Sequence, residues 1–227
     1  MIAIIASQEE EIKLLVELLR NKIELKRGPI SLYKGVLEGK NVLLVLSGNG
    51  KVNAAAVAQL VILEGVSSII FTGVAGGLLK EQKIGDIVIA SDSVQHDMDV
   101  TALGYRLGEV PDDGFSFESD PRLVELAFSA AMSLEGIEVK KGRVLTGDQF
   151  INSSEKIAFL QNEFAAACVE MEGAAIAQIA KKWHCPFVII RSLSDTADEN
   201  SHMDFKEFID LAAKNAKLVV LNILQQL

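Results

Sequence analysis

Short apolar runs recur along the chain, at MIAIIA (1–6), SLYKGVLEG (31–39), NVLLVLS (41–47), SSIIFTG (67–73), GDIVIA (85–90), GRVLTG (142–147) and PFVIIRS (186–192). They lack the strict polar alternation of a half-exposed sheet, which predicts strands covered on both faces. Segments of helical period lie between several of them. Ile12, Leu15, Val16 and Leu19 define one apolar face, and the alanine-rich stretch from Val52 to Leu63 fits a packed crossover helix. Near the C-terminus Phe205, Phe208, Ile209, Ala212, Ala216, Val219, Val220 and Ile223 fall along another face. This succession predicts an α/β fold, a three-layer α/β/α sandwich around a mixed, twisted central sheet.

Helix starts carry recognisable punctuation. Asp120-Pro121 offers a cap followed by proline at the first helical position. Ser7 with Glu10, Asn152 with Glu155 and Asp204 with Glu207 have capping-box spacing. The least regular part is roughly 91–119, long enough for a functional loop, a lid or a subunit contact. No internal repeat or linker divides the chain, so residues 1–227 are read as a single domain.

Charge narrows the function. With 22 Lys+Arg against 31 Asp+Glu the net charge is -9, which argues against nucleic acid as a partner. Cys168 and Cys185 lack metal-ligand spacing and sit in apolar contexts, as buried thiols of a reducing compartment do. Residues 1–6 lack a basic signal region, and charges or glycines interrupt every hydrophobic stretch. The expectation is a soluble, cytoplasmic protein with no membrane partner.

In an open α/β sheet, ligands bind beyond the C-terminal ends of the strands. Four clusters fall at such ends, SQEEE (7–11), SGNGKVN (47–53), TGVAGG (72–77) and RSLSD (191–195). Neither glycine-rich segment is a dinucleotide fingerprint or a Walker loop. Of the three glutamates at 9–11, Glu10 points away from the apolar face. The wheel does not choose between Glu9 and Glu11, and all three also suit a helix N-terminus.

These segments, with GDIVIA (85–90), HDMDVTALGY (96–105), GDQFI (147–151), VEMEGAA (169–175), RSLSDTAD (191–198) and FKEF (205–208), resemble the 5'-methylthioadenosine/S-adenosylhomocysteine nucleosidases of the nucleoside phosphorylase superfamily. The resemblance implies a nucleoside phosphorylase-like fold and hydrolysis of an adenine nucleoside, with water as nucleophile and no metal or cofactor. Glu11 matches the residue that activates water. Asp195 matches the acid that helps protonate purine N7, and Glu172 the carboxylate on the ribose hydroxyls, with Met171 against the sugar. Phe150 matches the aromatic stacked on the base and Phe205 a mobile wall. Ser194, Val74, Asn49, Gln8 and Ile151 complete the implied substrate contacts, while Arg191 either joins them or holds the neighbouring carboxylates.

The resemblance has departures. Gln8 stands where methionine is usual, Asn49 where isoleucine is common, Val74 where serine is frequent and Leu103 where phenylalanine is frequent. They bear on the preferred 5' substituent, which leaves methylthioadenosine, S-adenosylhomocysteine, 5'-deoxyadenosine and an aminofutalosine-like nucleoside open. Residues 96–117 resemble a segment exchanged across a homodimer, in which Val100, Leu103 and Pro111 close the partner's pocket with Tyr105 at its rim. Two alternatives stand beside hydrolysis. A phosphorylase needs an anion site, yet Arg20, Arg27, Arg106, Arg122 and Arg143 all lie outside the glycine-rich segments. A binding module needs no water activator.

Overall fold

The computed structural model describes residues 1–195 and 207–227, together with the helical backbone of 201–206. In chain order the elements are β1 (Ile2–Ala6), α1 (Glu9–Leu18), β2 (Arg20–Arg27), β3 (Ile30–Leu37), β4 (Lys40–Leu46), α2 (Lys51–Leu63), β5 (Ser68–Gly77) and β6 (Ile87–Gln95). There follow β7 (Phe117–Glu118), α3 (Pro121–Met132), β8 (Val139–Thr146), α4 (Ser154–Phe164), β9 (Cys168–Glu170), α5 (Gly173–Lys182), β10 (Phe187–Asp195) and α6 (Ser201–Gln226). The α/β class and the mixed sheet expected from the pattern are present. Among the described residues no helix is long and apolar enough to cross a membrane.

The sheet has an open half and a closed half. β1 lies parallel between β4 and β5, and β3 and β2 extend the β4 side by antiparallel pairing. On the other side β10 pairs with both β5 and β6, and the pairing runs on through β8 and β9 back to β5. Half of the sheet thus curls into a ring, and its strand ends converge instead of fanning out. Helices α1, α3 and α6 cover one face, where Ile4, Leu15, Ile70, Val124, Val188, Val220 and Ile223 form one buried cluster. Helices α2 and α5 cover the other, with Ile5, Val45, Val57, Phe71, Ile176 and Ile189. Every residue of β10 is buried, the burial expected of a strand paired on both edges and covered on both faces.

Local signals explain most boundaries. Asp120 caps α3 as its sequence suggests, its carboxylate accepting from Arg122 N and Leu123 N at 3.0 Å each, with Pro121 next. Three other cap expectations shift. At α1 the cap is Gln8, and Glu11, not Glu10, returns the bond to the backbone. At α4 the cap is Ser153, one residue after Asn152. Helix α6 begins at Ser201, so Asp204 lies inside it. The stretch 91–119 is less irregular than its composition suggests, because β6 continues to Gln95 across a bulge between Ala90 and Ser93.

Burial sets the cost of substitution. Ile4 in β1 is fully buried, so Ile4→Ala is expected to destabilise the chain by about 2–5 kcal/mol through lost contacts and a cavity. Val52, on the outer face of α2, is 81% exposed, and Val52→Ala should stay within about 0.5 kcal/mol. Urea denaturation of both variants checks the contrast.

Candidate active site

A cavity of about 330 Å³ opens where the strand ends converge, within the size range of small-molecule sites. Its walls come from Ser7 and Gln8 after β1, Asn49 after β4, Val74 to Gly76 in β5, Gln149 to Ile151 after β8, Val169 to Glu172 around β9, and Ser194 and Asp195 at the end of β10. The structure therefore brings together Gln8, Asn49, Val74, Phe150, Ile151, Met171, Glu172, Ser194 and Asp195 of the residues named from sequence. Ser7, Ala75, Gly76, Gln149, Val169 and Glu170 were not named. Their position at strand ends is the signal that could have found them, and Glu170 is two residues from Glu172 in the same VEME segment.

Glu11 lies just under the wall. Its carboxylate accepts from Ser7 N and Gln8 N at 2.9 Å each and from Val74 N at 3.0 Å, all three being backbone groups of lining residues. The side chain is 1% exposed. Burial raises its pKa above the ordinary carboxylate value, although the three amides and nearby Arg191 pull the other way. Gly73 permits this approach, since a Cβ there would come within 2.6 Å of Arg191 Nη1 and 2.9 Å of Glu11 Oε1.

Of the two roles open to Arg191, the geometry favours holding the neighbouring carboxylates over touching substrate, because Arg191 does not line the cavity. It is completely buried beneath it, with Nη2 2.5 Å from Glu170 Oε2 and its guanidinium carbon 3.9 Å from the centre of the Phe71 ring. Burial works against its charge, but Glu170, Glu172 and Glu11 together raise its pKa, so it is a permanent cation. Glu170 in turn accepts from Gly173 N at 2.9 and 2.8 Å, from Glu172 N at 3.2 Å and from the Thr146 hydroxyl. One buried pair thereby fixes the first turn of α5 and the backbone of Glu172.

Glu172 points its Oε1 at Gly50 N, 2.8 Å away, and Gly50 holds a φ of +88° that favours glycine. Burial, and then the charge of Glu170, push the Glu172 carboxyl up to about 7 against the pull of Arg191 and Gly50. Asp195 is 3% exposed and its Oδ2 accepts from the Ser194 hydroxyl at 2.9 Å. It enters the site through a register shift between Leu193 and Asp195 where β10 pairs with β5. Phe150 is 46% exposed along the wall, whereas Ile151 is buried against the cluster of Leu160 and Phe164. Val100, Leu103, Tyr105 and Pro111 lie outside this cavity, with Leu103 74% exposed. The side chain of Phe205 lies outside the described residues.

Comparison with known proteins agrees with this geometry. The model of the phosphorylase superfamily matches residues 1–225. The 5'-methylthioadenosine/S-adenosylhomocysteine nucleosidase of Anoxybacillus flavithermus is 41% identical over 222 residues, covering 96% of this chain and 95% of its own. The chain belongs to this nucleosidase family. The crystal structure of the family member from Neisseria meningitidis, in complex with methylthio-immucillin-A, superposes with a TM-score of 0.97 at 44% identity, covering 100% of this chain and 99% of that one. The Colwellia psychrerythraea nucleosidase in complex with adenine gives 0.96 at 38% identity, over 100% and 95% of the two chains.

The raised pKa of Glu172 has a signed consequence. A carboxyl whose folded pKa of about 7 exceeds its ordinary 4.5 stabilises the fold most below the lower value and loses that contribution as pH rises through the higher. Wild-type stability measured against Glu172→Gln should therefore fall between about pH 5 and about pH 8. Parallel stability profiles for the two proteins would contradict the assignment.

Proposed function

We propose that this nucleosidase-family chain hydrolyses the N-glycosidic bond of 5'-methylthioadenosine and S-adenosylhomocysteine, releasing adenine and the 5-substituted ribose. The observation that carries the reading is the pairing of two buried carboxyls at one cavity, Glu172 in its wall and Glu11 just behind it on the backbone amides of three lining residues, both with raised pKa values. The names of its relatives, and the adenine and nucleoside-analogue complexes of its structural neighbours, support the substrate class.

The proposed division of labour follows from the chemistry. Adenine leaves poorly until N7 carries a proton, a task for Asp195 acting as general acid beside Ser194. Glu11, anchored by three amides, holds a water toward C1' and accepts its proton as the bond lengthens. The sugar gathers positive charge in the transition state, and the surrounding carboxylates stabilise it. Glu172, near its midpoint at neutral pH, can accept from or donate to a ribose hydroxyl. Met171 and Phe150 supply apolar contact to sugar and base, with Phe205 a further wall.

We also propose that the chain is a single domain, works as a homodimer and resides in the cytoplasm. One sheet runs through it and the family model spans residues 1–225, which supports the first. Leu103 and Tyr105 leave large apolar side chains in water, which supports the second, with Val100 and Pro111 beside them facing a partner's pocket. Cys168 and Cys185 are buried and unbridged, as suits a reducing compartment.

Incubation with 5'-methylthioadenosine, with and without inorganic phosphate, tests the reaction. Adenine and free methylthioribose should form equally in both. Formation of a phosphorylated sugar only when phosphate is present would overturn hydrolysis. Glu11→Gln, shown to be folded by circular dichroism, should lower turnover by about 10²–10⁴-fold, the usual worth of a general base.

A further inference from the structure

Two side-chain amides close one end of the cavity. Gln8 Nε2 donates to Asn49 Oδ1 at 2.5 Å, across 41 residues of sequence. Each amide stands on backbone that is itself fixed. Gln8 N donates to Glu11 at 2.9 Å, the Asn49 carbonyl accepts from Asn53 Nδ2 at 2.7 Å, and the neighbouring Gly50 N donates to Glu172 at 2.8 Å. The pair is thus held beside both carboxyls of the proposed sugar site, and both residues line the cavity.

Strand order gives the cavity a direction. Across the sheet β10, β5, β1 and β4 are successive neighbours. Asp195 ends β10, Glu11 is bonded to Val74 in β5 and Ser7 after β1, and the amide pair joins the ends of β1 and β4. Three strand spacings, roughly 14 Å, separate the two extremes. A nucleoside with its base at Asp195 and its glycosidic carbon near Glu11 therefore directs its far end, the 5' carbon, toward Gln8 and Asn49.

The pair does not consume its own hydrogen-bonding capacity. The Gln8 carbonyl also accepts from the Glu11 backbone N–H in the capping box of α1, so Gln8 retains one N–H and one carbonyl lone pair, while Asn49 retains both N–H groups. An apolar 5' group pressed against them strips water and returns nothing, whereas a polar atom on the 5' carbon can replace that water. We propose that the Gln8–Asn49 pair selects for adenine nucleosides with a hydrogen-bonding group, such as a hydroxyl, on the 5' carbon. The inference rests on the proposed function, in particular on the sugar lying between Glu11 and Glu172.

Adenosine and 5'-deoxyadenosine differ only by that hydroxyl, so the ratio of their kcat/KM values isolates it. The wild-type chain should favour adenosine, and Gln8→Met with Asn49→Leu, which keep side-chain size, should lower the ratio by about tenfold. Either single variant should produce most of the fall, because each amide orients the other. The ratio cancels any shared loss of folded protein or of chemistry. A ratio within about twofold of wild type while adenine is still released overturns the selection by the amides and leaves hydrolysis standing. Failure of the wild-type chain to release adenine from adenosine, 5'-deoxyadenosine and 5'-methylthioadenosine alike overturns both readings.

Discussion

A guanidinium taken wholly out of water must have its charge answered within hydrogen-bond distance, and for Arg191 the answer is Glu170 at 2.5 Å. The rest of the site is arranged around that pair. Glu170 collects the first amides of α5 and so sets where Glu172 stands. Arg191 is also the charge that moderates Glu11 and Glu172, two carboxyls that burial would otherwise leave still harder to ionise. Three acidic side chains can share one small volume because a single cation lies beneath them. Phe71 below the guanidinium and the absence of a Cβ at Gly73 make room for it.

The arrangement also explains why a fold of this class suits the chemistry. Parallel strands β1, β4, β5 and β10 end on one edge of the sheet, and the closed half brings β8 and β9 to the same place. Each strand end then contributes one or two short segments, and backbone amides do much of the positioning. Glu11 is held by three such amides and Glu172 by one. Rigid elements carry the carboxyls, while Phe150, Gln8 and Asn49 are the more exposed residues of the cavity wall.

Much of this was legible in the sequence, and the misses have physical reasons. Buried strands such as β1, β4, β5 and β10 announce themselves as apolar runs, and Asp120-Pro121 announces α3. β2, with the sequence RNKIELKR, does not, because it is an exposed edge strand whose charges guard against pairing with other chains. β9 is three residues long, too short for any period to show. Glu11, Glu172 and Asp195 were named through resemblance, since local sequence alone left Glu9 and Glu11 equivalent. What separated them was a tertiary contact, the bond from Val74 N across 63 positions. Arg191 was left open between touching substrate and holding the neighbouring carboxylates, because a charged residue inside an apolar strand has no readable depth until the strand's burial is known. The partnership of Gln8 with Asn49 joins two strand ends and leaves no local trace.

The dependence of the site on the buried pair is most directly tested by a double-mutant cycle in urea denaturation, using Glu170→Gln, Arg191→Met and the double variant. Removing either partner alone leaves an unanswered buried charge or an unmatched carboxylate, and each single variant should cost about 3–5 kcal/mol. The double variant should cost well below the sum of the two, because neither charge then remains to be answered. Costs that simply add would contradict the account and make Arg191 and Glu170 independent features of the core.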